Sequence, residues 1–100
     1  MQDNDSLAAR LNRQTATIKW SELQPFFARG QAVRVETGLD LIEVAAAFAD
    51  DQVEQVKRWM QDNRVAAVSE QEAADWASDD AVVWAVVVAP WVLVQERLSH

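Results

Sequence analysis

Apolar and polar positions divide this chain into short amphipathic helices and a few strands. Leu7 and Leu11 stand one turn apart behind Ser6, which can cap a helix to about Gln14. Residues 15–19 read as a connector, with Ile18 and Trp20 as the next apolar anchors. Ser21-Glu22-Leu23-Gln24 has the spacing of a capping box, whose first and fourth side chains satisfy free backbone amides. A helix is expected from there, with Pro25 near its start, to Gly30, which can adopt the left-handed C-terminal cap. Residues 32–36 alternate apolar and charged, the pattern of a half-buried strand.

Asp40-Leu41-Ile42-Glu43 repeats the capping-box spacing and opens a helix to about Ala49, with Leu41, Val44, Ala45 and Phe48 on one stripe. Asp51-Gln52-Val53-Glu54 repeats it at once, predicting a second helix on Val53, Val56 and Met60 with Trp59 beside them. The two helices form a tight corner. Asn63 can take the left-handed turn that ends it, and residues 65–68 suggest an edge strand. Ser69-Glu70-Gln71-Glu72 opens a further helix carrying Ala73, Trp76 and Ala77, which ends at 78–80.

Residues 81–94 organise the rest: an uninterrupted apolar run rich in Val. A bilayer-crossing helix needs roughly 20 apolar residues, and this run is shorter and holds Pro90. Two strands, 82–88 and 91–95, with a bulge or bend at Ala89-Pro90, are expected instead. The sum is an α+β domain spanning 1–100, with about five short helices on a small, largely antiparallel sheet that includes the C-terminal strands. Residues 1–5 and 97–100 are expected to be flexible.

Composition narrows the function. The chain has no Cys and no Tyr, and its single His is His100, the last residue. The usual general bases and activated nucleophiles are therefore nearly absent, which argues against an enzyme. The net charge of −7 repels phosphate backbones, and the basic residues are scattered. That argues against nucleic acid, although the corner formed by residues 41–60 has helix-turn-helix proportions. The acidic, polar start is unlike a signal peptide, so a cytoplasmic location is expected.

Oxygen ligands for a divalent cation could come from Asp50, Asp51 and Glu54, or from Asp40 and Glu43. The same acids by spacing cap helix amides and complement the helix dipole, which is the plainer reading. No cofactor is called for. The five Trp could fill the core or build an interface; three are expected inside and one or two outside, with Trp91 the exposed one.

Trp20, Leu23, Pro25, Gly30, Leu39-Asp40-Leu41, Glu43-Val44, Ala47, Ala49, Asp51, Val56 and Trp59 form a pattern. With Pro90-Trp91-Val92-Leu93-Val94-Gln95-Glu96, the most specific stretch, it resembles a bacterial family known as domain of unknown function 2288. The resemblance runs from about Leu7 to Glu96 and implies a compact bacterial protein with no activity to carry over. Phe26 stands where the family commonly has His, Asn63 where Gly is usual, and Ala89 where Gln is expected.

The expectation is a cytoplasmic, non-enzymatic protein-interaction module whose partner is a second copy of itself (a homodimer) or an unidentified protein. Its interface candidates are Val87, Trp91, Leu93 and Gln95, on a two-faced apolar strand with few other strands to cover it. The alternatives are a small-molecule or divalent-cation binding protein using the acidic corner, and a helix-turn-helix-like regulator that the charge disfavours.

Overall fold

A computed structural model of the chain describes residues 15–97. Among them are five strands, β1 Ala16–Lys19, β2 Ala32–Val35, β3 Val65–Ala67, β4 Val82–Val88 and β5 Trp91–Glu96. Four helices lie between them, two of them consecutive: α1 Trp20–Ala28, α2 Leu41–Ala49, α3 Val53–Gln61 and α4 Glu70–Ser78. The fold is α+β as expected, with four described helices rather than about five; the helix expected at 6–14 lies outside the described residues. No described helix is long and apolar enough to cross a membrane.

The strands form one sheet in the order β1-β4-β5-β2-β3. Three pairings are antiparallel, and β2 with β5 is parallel, Val33 facing Leu93. β4 and β5 join through a two-residue turn at Ala89-Pro90, whose peptide bond is cis. The expectation of sparsely covered C-terminal strands is corrected here. β5 lies in the middle of the sheet between β4 and β2, and β1 covers the outer edge of β4 over residues 82–85.

Their apolar character on both faces follows from helices on both faces. Leu93 and Val86 pack with Val33, Val35, Val44 and Trp59, under α2 and α3. The alternate positions Val92, Val94, Val83 and Ala85 pack with Trp20, Leu23, Ala73 and Trp76, under α1 and α4. A strand with both faces buried reads as a continuous hydrophobic run rather than an alternating one. Trp20 meets Trp76 edge-on at 5.0 Å between ring centroids.

The stretch expected to be a connector is the strand β1. It is four residues long at the sheet edge, with only Ile18 half-buried among exposed neighbours, so its alternation is too brief to register. Because β1 runs directly into α1, Lys19 occupies the cap position and Ser21 does not cap; the helix starts at Trp20 and contains Pro25. Residues 65–67 do form an edge strand, β3, paired only with β2.

All four described helices end the same way. Gly30, Asp51, Asn63 and Asp80 all have positive φ, between 50° and 74°. Each donates its N–H three residues back, and the following N–H reaches five back: Gln31 to Phe26, Gln52 to Ala47, Arg64 to Trp59, Ala81 to Trp76. This is the Schellman motif, which satisfies the last carbonyls of a helix. It corrects the reading of Asp51: that residue ends α2 rather than capping α3, whose N-cap is Gln52 without a side-chain hydrogen bond. Asp40 does cap α2, accepting from the N–H groups of Ile42 and Glu43. Ser69 and Glu72 complete a reciprocal capping box on α4.

Candidate interaction surface

The interface candidates separate into two kinds. Leu93 is fully buried and cannot reach a partner. Gln95 is half-buried, and its amide nitrogen donates to the carbonyls of Glu36 at 2.9 Å and Leu39 at 2.7 Å. It ties β5 to the loop between β2 and α2, so its polarity serves the fold. Val87 (58 % exposed) and Trp91 (37 %) do lie on the surface.

Val87 and Trp91 flank the β4–β5 turn. From Val87 through Trp91 the hairpin tip is Val-Val-Ala-Pro-Trp, exposed except for the half-buried Val88. Hairpin turns ordinarily carry Gly, Asn, Asp or Ser, whose side chains tolerate the turn and meet water. An apolar tip is therefore unusual for a solvated turn.

Each side of the tip opens into an apolar groove. On the α2–α3 side, Trp91 borders a groove of about 180 Å³ with Phe48, Val53 and Val56, and with Asp51 and Lys57 at its polar rim. Val53 is 57 % exposed and Met60 49 %. These two were expected on the buried stripe of α3, but Trp59 and Val56 take that place. Val53 and Met60 are two turns apart and share the outer side. On the opposite face, Val87 borders a groove of about 250 Å³ with Ala16, Ile18, Phe26 and Val92.

The Trp residues divide as expected, with Trp20, Trp59 and Trp76 buried and Trp84 and Trp91 exposed. Trp84 was not singled out from the sequence. It faces the uncovered part of the sheet beside Thr17, and the Arg97 guanidinium lies 5.9 Å from its ring centroid. A Trp in a Val-rich strand is indistinguishable by composition from a core residue; only the sheet order shows it lies beyond the reach of α2.

Among the described residues no three carboxylates or other ligating groups gather where they could hold an ion. Asp40 is occupied in capping, and Asp51 in a helix-ending turn. A concavity of about 410 Å³ lies along α4 between Glu72, Asp75, Asp79 and Glu96. Beside it Arg34 Nε stands 2.8 Å from Glu72 Oε2, an ion pair set off the N–H axis. A second nitrogen of Arg34 donates to the Asn63 carbonyl at 3.3 Å.

The described residues thus build four helices and a five-stranded sheet, an α+β domain with an apolar hairpin tip. The family described as protein of unknown function (DUF2288) matches residues 6–96, and the chain belongs to it. Its fold is also that of the NMR solution structure of PA1075 from Pseudomonas aeruginosa, with a TM-score of 0.83 and 48% sequence identity. That likeness covers 98% of this chain and 90% of PA1075. No curated protein matches the chain.

Proposed function

We propose that this protein is a non-enzymatic interaction module of the bacterial cytoplasm that associates with a second copy of itself through the apolar tip of its C-terminal hairpin. The observation that carries this reading is Trp91 exposed beside the exposed Val53, on a groove floored by Phe48 and Val56. Trp is the residue most enriched where interface energy concentrates, and burying apolar surface contributes roughly 25 cal/mol per Å².

Self-association suits this surface better than an arbitrary partner because its rim carries both signs. Asp51 and Lys57 border the same groove. A two-fold contact presents each residue to its counterpart's surroundings, so Lys57 of one copy can meet Asp51 of the other. That pairing also offsets the repulsion between two copies of net charge −7. The lack of Cys, Tyr and any internal His supports a role without bond-making chemistry.

The test is light scattering coupled to gel filtration on the Trp91→Lys and Val53→Lys variants. Both are expected to run as folded monomers, with unchanged far-ultraviolet circular dichroism, where the parent runs as a dimer. Variants that remain dimeric would place the interface elsewhere.

A further inference from the structure

Apart from Met1, the chain carries a single sulfur atom, the thioether of Met60, and it has no Cys. We propose that Met60 is a reversible oxidation site, and that its conversion to the sulfoxide releases the contact between two copies. Such a role rests on self-association through the Trp91 surface and concerns what undoes it.

Met60 lies in the last turn of α3 and is half exposed, so an oxidant in solvent reaches its sulfur. It stands two helical turns, about 10 Å, from the exposed Val53 and on the same side of the helix. Val53 lines the Trp91 groove, and so does Lys57 between the two. Met60 thereby extends the exposed apolar side of α3 beyond that groove. A polarizable, unbranched thioether suits a contact surface, because it adapts to an irregular partner.

The fold itself does not depend on this side chain. α3 turns Trp59 and Val56 inward, and Met60 belongs to neither buried cluster. Oxidation of a core methionine disrupts packing, whereas an oxygen added at Met60 meets water in the separate chain. Between two copies the same oxygen would be a polar group on an apolar contact, without a partner for its lone pairs. The cost therefore falls on association rather than on folding.

The oxidant is a peroxide, with hydrogen peroxide the simplest. A sulfur lone pair attacks one peroxide oxygen, forming the S–O bond as the O–O bond breaks. The departing hydroxide takes the proton from the oxygen now on sulfur and leaves as water. Sulfur loses two electrons and the peroxide gains them. A sulfoxide reductase, drawing two electrons from a dithiol, restores the thioether and releases water. Because association covers this side of α3, the separate chain is the form oxidised, and it then stays out of the pair.

The experiment treats the full chain with hydrogen peroxide and follows two readouts. Mass spectrometry of the tryptic peptide 59–64, whose one methionine is Met60, reports the added oxygen. Gel filtration with light scattering reports association. Oxidation at Met60 is expected to raise the dimer dissociation constant about tenfold, with far-ultraviolet circular dichroism unchanged. Reductase and dithiol should reverse the shift, and Met60→Leu should associate equally well before and after peroxide. A dimer whose dissociation constant is unchanged when Met60 carries the oxygen overturns the proposal alone. So does equal dissociation of Met60→Leu by peroxide, since another residue is then responsible. Chains that run singly before any peroxide overturn self-association itself, and this role with it.

Discussion

Glu72 stands with one carboxylate oxygen 2.8 Å from Arg34 Nε and the other accepting the Ser69 N–H at 3.0 Å. One side chain thus closes the N-terminus of α4 and clamps that helix to β2 across the face of the sheet. Glu72→Gln keeps the capping contact and loses the ion pair; Glu72→Ala loses both. Denaturant unfolding should show a loss of about 1 kcal/mol for Gln and about 2 kcal/mol for Ala. Equal losses would mean that the Glu72 capping contact contributes nothing, and no loss for Gln would mean that the ion pair contributes nothing.

Two capping-box patterns of identical spacing make a matched pair. Ser69 caps α4 with its hydroxyl 3.0 Å from the Glu72 N–H, whereas Ser21 lies inside α1. Ser69→Ala should cost about 1 kcal/mol and Ser21→Ala within about 0.5 kcal/mol of nothing. Comparable costs at both sites would put the start of α1 at Ser21 after all.

Neighbouring residues on β4 and β5 should differ sharply in cost. Leu93 is wholly buried, while Val87 is 58 % exposed. Leu93→Ala is expected to lose about 2–5 kcal/mol through the cavity it leaves, and Val87→Ala less than about 1 kcal/mol. Thermal unfolding of the two variants separates these outcomes directly. A large loss at Val87 would place that side chain in a packed environment, against its exposure here.

Asp80 holds φ at +50°, a conformation that disfavours side chains other than Gly and Asn, and it sits at the negative end of the α4 dipole. Its ion pair with Lys19 is long, at 3.9 Å, and both side chains are well exposed, so little is lost with it. Asp80→Gly should therefore raise stability by about 0.5–1 kcal/mol. A decrease would show that the Lys19 contact outweighs the relief of backbone strain.

The acidic corner gives a prediction of the opposite kind. Asp50, Asp51 and Glu54 belong to no described group of three ligating residues. Millimolar Mg²⁺, Ca²⁺ or Mn²⁺ should leave the melting temperature unchanged, whereas a cation present at 100 times its dissociation constant would add about 2.7 kcal/mol. A saturable upward shift would restore the cation-binding reading.

Much of the fold was legible because local signals agreed with tertiary ones. The caps at Asp40 and Ser69, the left-handed turns at Gly30 and Asn63, and both C-terminal strands follow from residue type and spacing. What failed is what depends on distant residues. β1 is defined by its pairing with β4, more than sixty residues away, and its four residues carry almost no pattern of their own. Asp51 met the spacing rule for an N-cap, yet two helices in immediate succession compete for one residue, and the Schellman ending of α2 took it. At the candidate surface, Trp91 could be read because Pro90 precedes it. Leu93 and Gln95 could not, since their roles depend on β2 and its loop lying beside β5. Val53 and Met60 were misplaced because the larger Trp59 sets which side of α3 turns inward.

The apolar hairpin tip is proposed to join two copies of this chain. A native mass spectrum of the untagged protein at micromolar concentration tests it most directly. The expected result is a dominant species at about twice the 11.2 kDa chain mass, reverting to a single chain in Trp91→Lys. A spectrum showing only single chains at every concentration that stays soluble would contradict it.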